Sequence, residues 1–181
     1  TPRTGDPRKD AYISSLLNAY PLEQPNLGAT RLNSNATRNI NAQDALARID
    51  YKWTANDSIA GRYTISDYSE DPFQIVAGQN PQTDVRTQGA YMSLTHIFSP
   101  TSTSRLAFNY DRTAANLLPT RRFLDLFKGI GVTNVPDVDF QSDEFTDLGP
   151  LPQFPRVRAQ NRFQGFGEFT DRKSTRLNSS H

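Results

Sequence analysis

The acidic residues between positions 137 and 147 could bind a metal ion. Carboxylate oxygens are the ligands that hard cations such as Ca²⁺ prefer. The weak candidates for such a metal site are Asp137, Asp139, Asp143 and Glu144. The run lacks the glycine and the ligand spacing of an EF-hand loop, and a solvated acidic loop is the simpler interpretation. We therefore predict no metal site and no cofactor.

Catalytic side chains do not form a recognisable set in this sequence. A Ser-His-Asp arrangement would have to use His96, which lies on a predicted strand beside a turn. A packed or interfacial side chain is the simpler interpretation of that position. No pair of carboxylates stands out as desolvated, which acid–base catalysis would require. We expect a protein that is not an enzyme.

The segments around these residues have the alternation of strands with two different faces. One parity of residues 45–53 is apolar and the other is mostly polar. The return segment 59–66 repeats the alternation, and residues 89–98 and 104–111 do so less cleanly. Side chains along a strand point to opposite faces with a period of two. Each hairpin is therefore predicted to have one apolar and one polar face.

The two parities predict two sets of residues with different surroundings. The polar parity predicts residues that line the interior of a barrel: Arg48, Asp50, Lys52, Arg62, Arg105 and Asp111. Aromatic side chains favour the membrane–water interface. The apolar parity therefore predicts residues that face lipid or belong to an aromatic girdle: Ile49, Tyr51, Trp53, Tyr63, Phe98, Phe108 and Tyr110.

Short turns alternate with long connections along the chain. The predicted strands cover residues 44–53, 59–68, 88–98, 104–114 and, for the fifth, 161–170. Short turns join the first two pairs, whereas the connections 69–87 and 115–159 are much longer, and one short helix is predicted near residues 10–20. This asymmetry is typical of outer-membrane barrels. We predict an all-β fold, an antiparallel up-and-down meander that is part of a transmembrane β-barrel.

The composition agrees with a barrel and leaves a second interpretation open. Hydrophobic residues make up 35% of the chain and the mean hydropathy is −0.66, as polar loops and a polar interior would give. The net charge is +1 with both signs interspersed, so no nucleic-acid partner is predicted. The alternative is a secreted or cell-surface β-sandwich that binds carbohydrate or protein without transport, with one face of each hairpin on a core.

Residues 171–181 have a different expected origin from the rest of the chain. Their sequence, DRKSTRLNSSH, looks over its whole length like one translated frame of a common sequencing adapter. We therefore expect native sequence in residues 1–170 only, and a chain that is a fragment translated from a metagenomic read.

Several short motifs recur in an order that points to one family. They are residues 19–22 (AYPL), 50–51 (DY), 58–63 (SIAGRY), 94–100 (LTHIFSP), 109–110 (NY) and 162–164 (RFQ). Their order and spacing over residues 10–170 resemble the TonB-dependent outer-membrane receptors, especially the Oar-like kind. The chain departs from the full pattern in having no TonB box, no plug and no terminal strand.

The resemblance implies a piece from the middle of a barrel of about 22 strands around a plug, in the outer membrane of a Gram-negative bacterium. It implies uptake of a large or scarce ligand that TonB energises, with the external loops 69–87 and 115–159 contacting the ligand. The implied partners are outer-membrane lipid, an unknown extracellular ligand and the TonB complex. The TonB complex would be reached through an N-terminal part of the parent that this chain lacks.

Overall fold

The structure, a computed structural model, describes residues 3–131, 137–141, 146–149 and 155–172. Its elements in chain order are α1 (Pro7–Leu17), β1 (Asn39–Lys52), β2 (Asp57–Asp71), β3 (Gln82–Ser99), β4 (Ser102–Leu118), α2 (Arg121–Leu126) and β5 (Arg156–Asp171). The five strands form one sheet in the order β1-β2-β3-β4-β5. Each strand therefore pairs with its neighbours in sequence, and the predicted all-β up-and-down meander is confirmed.

The pairing of β2 with β3 is antiparallel and keeps one register. His96 contacts Asp57 near one end of the pair, and Arg86 contacts Asp67 towards the other. The two contacts lie ten residues apart on both strands, so no residue is inserted between them. Because the side-chain period of a strand is two, this constant register keeps each parity on its own face.

The connections differ in length at the two ends of the sheet, as predicted. Residues 53–56 join β1 to β2 and residues 100–101 join β3 to β4, whereas residues 72–81 and 119–155 form the other two connections. The predicted bounds 69–87 and 115–159 were too wide, because β2, β3, β4 and β5 all continue into them. No helix among the described residues is long and apolar enough to cross a membrane.

Polar cross-strand contacts explain why the strands are longer than predicted. Residues 66–71 and 82–87 are polar on both parities apart from Tyr68 and Val85, so alternation gives little strand signal there. The Ser69 hydroxyl donates to Asp84 at 2.7 Å, and Arg86 pairs with Asp67 at 2.6 Å. The backbone ladder therefore continues where neither face is apolar.

Helix α1 begins and ends three residues before the predicted bounds 10–20. The carboxylate of Asp6 accepts from the backbone N–H of Arg8 at 2.9 Å, and Pro7 occupies the first turn. An aspartate cap followed by proline is a strong start signal because both satisfy the geometry of the first turn. The helix ends at Leu17, and the Ala19 carbonyl then accepts from the backbone N–H of Ala77 at 2.8 Å.

The chain divides into two compact units, which we name by their contents. The helical unit comprises Thr1–Ala42, Tyr68–Val85 and Ala115–Arg158, and the sheet unit comprises Gln43–Asp67, Arg86–Ala114 and Ala159–His181. The core of the helical unit consists of Ala19, Val76, Ala77, Phe123, Phe127 and Leu148. The side chain of Phe123 is fully buried there, 5.2 Å from the Phe127 ring centroid. Of the predicted adapter-derived segment 171–181, the structure describes Asp171 and Arg172 alone, and its origin stays a prediction.

Candidate functional site

The polar face of the sheet unit brings predicted interior residues together around Tyr91. Arg105 donates to the Tyr91 hydroxyl oxygen, and the Arg62 Cζ atom lies 5.8 Å from the centroid of the Tyr91 ring. Arg48 binds Asp50 through two contacts of 2.7 and 3.0 Å. Arg48, Arg62 and Arg105 line one recess with Tyr91. Alternation therefore grouped side chains that do lie together in three dimensions.

Asp111 is held on the same face by a residue that the sequence analysis missed. Arg162 donates to Asp111 Oδ2 from Nη2 at 2.8 Å and from Nε at 3.1 Å. Asn109 donates to the same oxygen at 2.6 Å. Arg162 alternates with Phe163 on β5, so strand parity was a signal that could have found it. Lys52 is the last residue of β1 and is exposed, and it alternates onto the same face as Arg48 and Asp50.

The opposite face of the sheet unit carries the predicted lipid-facing residues and their ring contacts. The Tyr110 and Phe163 ring centroids are 4.9 Å apart, and Phe108 lies 6.4 Å from the same ring. Phe98 lies 6.0 Å from Phe169. The large side chains exposed on this face include Ile49, Tyr51, Trp53, Tyr63, Phe98 and Phe108. A group of exposed large apolar side chains of this kind marks an interaction with lipid or protein.

His96 has a packing role near the two short turns. Its Nδ1 atom lies 2.6 Å from the Asp57 carboxylate, and its ring is edge-on to Phe98 with the centroids 4.4 Å apart. Asp57 also accepts from the Thr54 hydroxyl at 2.6 Å, which closes the turn between β1 and β2. His96 thus ties the end of β3 to the neighbouring turn.

The helical unit contains a second candidate site, a recess of about 1000 Å³. Its lining includes Tyr20, Pro21, Glu23, Pro25, Leu27, Thr30, Arg31, Leu32, Asn33, Ile75, Val76, Gln79 and Thr146. Residues 75–79 and 146 fall within the connections predicted to contact ligand. Residues 20–33 do not, and the AYPL motif at 19–22 indicated a family resemblance rather than a ligand site.

Hydrogen bonds within the connection 72–81 shape one wall of this recess. The Gln74 side-chain oxygen accepts from the backbone N–H of Gly78 at 2.7 Å and from the Thr120 hydroxyl at 3.3 Å. Its amide nitrogen donates to the Asn80 carbonyl at 3.0 Å. Asn80 in turn donates to the Phe73 carbonyl at 2.8 Å. The connection is therefore a closed loop held by its own side chains.

Tyr20 holds the opposite side of the recess. Its hydroxyl donates to the Thr146 carbonyl at 2.7 Å. Partial burial raises the pKa of Tyr20 above its ordinary value, and the negative charge of Asp147 raises this pKa further. The phenol is consequently a neutral hydrogen-bond donor at physiological pH.

Two of the four weak metal candidates lie in the described part of the chain. The carboxylate of Asp139 accepts from the backbone N–H of Gln141 at 2.7 Å, which is a local turn contact, and Asp137 is exposed. Asp143 and Glu144 lie outside the described residues. Within the described ranges, no group of three or more His, Cys, Asp or Glu residues could hold a metal ion.

Comparison with known proteins identifies a family. A family model described as an outer membrane beta barrel domain matches residues 4–178. No curated protein and no solved structure matches the chain. The model covers nearly the whole sequence, and the described structure has the antiparallel meander and short turns of such a domain. The chain therefore belongs to the outer membrane beta barrel domain family and is a protein of the outer membrane.

Proposed function

We propose that this chain is part of a TonB-dependent transporter that takes up a large or scarce ligand across the outer membrane. The observation that carries the proposal is the difference between the two ends of the sheet. Short turns join β1 to β2 and β3 to β4, whereas the long connections belong to the helical unit, which contains the recess of about 1000 Å³. The motifs that resemble TonB-dependent receptors support the energised form of uptake.

In this proposal the polar face lines the interior of the barrel and the apolar face contacts lipid. Arg48, Arg62 and Arg105 on one face, and Phe108 and Phe163 on the other, support the assignment. Unsatisfied backbone groups are not tolerated in hydrocarbon, and β1 and β5 are the edges of this sheet. Further strands of a parent protein would have to pair with both edges, since five strands are too few to enclose a lumen.

The recess of the helical unit is the proposed ligand site, and its role is binding rather than catalysis. Its lining mixes apolar side chains such as Leu27 and Ile75 with polar ones such as Asn33 and Gln79. A concave recess that combines apolar surface with polar groups able to fix an orientation is typical of ligand recognition. We place the TonB contact elsewhere in the parent protein.

The orientation can be tested by labelling single cysteines in whole cells, since this chain contains no cysteine and any cysteine elsewhere in the parent can first be replaced by serine. The full-length parent would carry either Gln79→Cys, in the recess, or Asn56→Cys, in the short turn. A membrane-impermeant maleimide should label position 79 in intact cells and position 56 only after the outer membrane is opened. Labelling of position 56 in intact cells, with position 79 protected, would contradict the external recess.

Energised uptake needs a separate experiment. A deletion of the parent gene and a deletion of the TonB gene should abolish growth on the same scarce nutrient, and complementation of each should restore it. If only the deletion of the parent gene caused the growth defect, uptake would not depend on TonB. The protein would then be a passive barrel, and the proposal would be wrong.

A further inference from the structure

The recess around Tyr91 on the polar face has an unbalanced set of charges. Its volume is about 260 Å³, and its lining includes Arg48, Arg62 and Arg105 but no acidic residue among those described. Arg48 has a carboxylate partner, Asp50, at 2.7 Å. Arg62 and Arg105 form no salt bridge within the described part of the chain. The recess therefore has an excess of positive charge.

The carboxylate of Asp111 on the same face does not cancel this excess. Arg162 binds it with two donors, at 2.8 and 3.1 Å, and Asn109 adds a third at 2.6 Å. The charge of Asp111 is thus balanced by that of Arg162, and although Asp111 also attracts Arg62 electrostatically, the two form no salt bridge. Two positive charges of the recess thus remain available to a solute.

Tyr91 orients the two arginines that lack a carboxylate. Arg105 uses one donor on the Tyr91 hydroxyl oxygen, out of the five N–H groups of a guanidinium. The Arg62 guanidinium lies over the Tyr91 ring, 5.8 Å from its centroid, in the geometry of a cation–π contact. Both side chains are therefore positioned before any ligand arrives, which lowers the entropy cost of binding.

The depth of the recess in the sheet is also informative. Arg48 lies five residues before Trp53 and Arg62 five residues after Asp57, the two residues whose backbone hydrogen bond closes the first short turn. At about 3.3 Å per residue this is about 17 Å along the strand. With a strand tilt of about 40°, it is a depth of about 13 Å in a hydrocarbon core of about 30 Å. Ionisable groups near the bilayer centre mark solute pathways.

We propose that Arg48, Arg62 and Arg105 form a binding site for small oxyanions, carboxylate or phosphate, at mid-depth on the polar face of the barrel. The guanidinium fork matches both groups with paired hydrogen bonds. The volume accommodates on the order of eight water molecules at about 30 Å³ each, which is room for one such anion. The proposal goes beyond the proposed function, since the site would act in a passive barrel as well as in an energised one.

The first experiment measures the binding of inorganic phosphate by the folded full-length parent in zwitterionic detergent, using isothermal titration calorimetry. Arg62→Gln and Arg105→Gln should each weaken binding by about tenfold or more, because each removes charge-assisted hydrogen bonds. The matched control is Arg112→Gln, which lies on β4 with Arg105 but on the opposite face, where it contacts Asn161. Arg112→Gln should leave the affinity unchanged.

Two results would overturn the site. One is a wild-type protein that binds neither phosphate nor citrate, as expected if another part of the parent already occupies the arginines. The other is an equal loss of affinity in Arg112→Gln. A parallel titration with citrate separates a preference for carboxylate from a preference for phosphate, and binding of either anion that depends on Arg62 and Arg105 supports the site.

A second measurement avoids substitutions that could impair folding. Phenylglyoxal modifies accessible arginines, and peptide mass mapping gives the rate at each position. Phosphate should slow the modification of Arg62 and Arg105 in the wild-type protein and leave Arg112 unaffected. Equal rates with and without phosphate at all three positions would contradict the proposal.

Discussion

Gly89 on β3 lies so close to Thr64 on β2 that a β-carbon at position 89 would stand 2.7 Å from the Thr64 hydroxyl oxygen. The same β-carbon would stand 3.3 Å from the Asp111 carboxylate on β4. A glycine in the interior of a strand usually weakens it. At position 89 the absence of a β-carbon instead leaves room for the Thr64 and Asp111 side chains. It lets two neighbouring strands place polar side chains over its backbone on the polar face.

Gly89→Ala should therefore destabilise the sheet unit, by about 1–3 kcal/mol as is typical of overpacking. The change is measured by urea unfolding of the parent in detergent micelles, followed by tryptophan fluorescence. Trp53 is the one tryptophan in this chain, and the tryptophans in the rest of the parent are first replaced. Gly165→Ala is the control, since a β-carbon there meets no atom within 4 Å. Adding Thr64→Ala to Gly89→Ala should restore most of the stability. If the two substitutions changed the free energy of unfolding additively, the contact between Gly89 and Thr64 would be contradicted.

The two faces can be compared directly with one pair of substitutions on β1. Ile49 and Leu46 are similar in size and in exposure, 72% and 65%, and have opposite parity. Arginine on the lipid face of a barrel costs about 2–4 kcal/mol near the midplane, so Ile49→Arg should impair assembly by this amount. Leu46→Arg, on the polar side, should cost less than about 1 kcal/mol.

The measurement is the folded fraction of the full-length parent in lipid vesicles, from its heat-dependent mobility in gel electrophoresis. Equal damage from Leu46→Arg and Ile49→Arg would show that β1 does not have the two environments assigned to it. Ala47→Arg and Phe108→Arg extend the test to a second residue of β1 and to β4.

The isolated chain should not fold cooperatively in water. Its sheet unit exposes Trp53, Phe98, Phe163 and Phe169, each by more than half, and such a surface favours association in the absence of lipid. Thermal unfolding followed by circular dichroism in detergent-free buffer should give no cooperative transition. A sharp, concentration-independent transition would mean that the apolar face is covered within the chain itself.

Alternation predicted the faces of the sheet because it reports what each side of a strand contacts. Alternation assigned Arg48, Arg62 and Arg105 to the polar face, and they line one recess with Tyr91. It assigned Phe108 and Tyr110 to the apolar face, and both contact the Phe163 ring. The strand ends were missed for the same reason. Around Ser69 and Asp84 both parities are mostly polar, so the pairing depends on backbone hydrogen bonds and on polar contacts such as Ser69 with Asp84, which have no period.

The recess of the helical unit was less predictable than the sheet. Its walls bring Tyr20 next to Thr146 and Ala19 next to Ala77, contacts between segments that are far apart in sequence. Loops have no periodic pattern that reports such neighbours. The short helix α2 was predictable in place, because Phe123 and Phe127 are spaced for one helical face, but the burial of Phe123 against Gly78 was not.

Gly78 in the helical unit is constrained both by its backbone conformation and by its contact with Phe123, and a pair of alanine substitutions can separate the two effects. Its φ is +90°, and a β-carbon there would stand 2.6 Å from the Phe123 ring. Gly28 has a similar φ of +78° but no atom within 4 Å of its β-carbon position. Gly28→Ala should cost about 1–2 kcal/mol from backbone strain alone, and Gly78→Ala should cost more because Phe123 must also move.

Amide hydrogen exchange of the parent in micelles measures both effects in the helical unit. Gly78→Ala should increase exchange at residues 72–81 and 121–127, with the sheet unit unchanged. If the two substitutions had the same effect, the contact between Gly78 and Phe123 would have no part in stability.

Tyr20 should make the stability of the helical unit depend on alkaline pH. Burial and the charge of Asp147 raise its pKa above the ordinary value of 10.0. As the pH rises past 10.0, the tyrosine of the unfolded chain ionises first, so the folded unit loses stability between that pH and the raised pKa. The contribution is fully present below pH 10.0. The tyrosinate absorbance of the wild-type protein minus that of Tyr20→Phe isolates this titration, and Asp147→Asn should move it to lower pH. A difference titration centred at or below 10.0 in the folded protein would contradict the buried environment assigned to Tyr20.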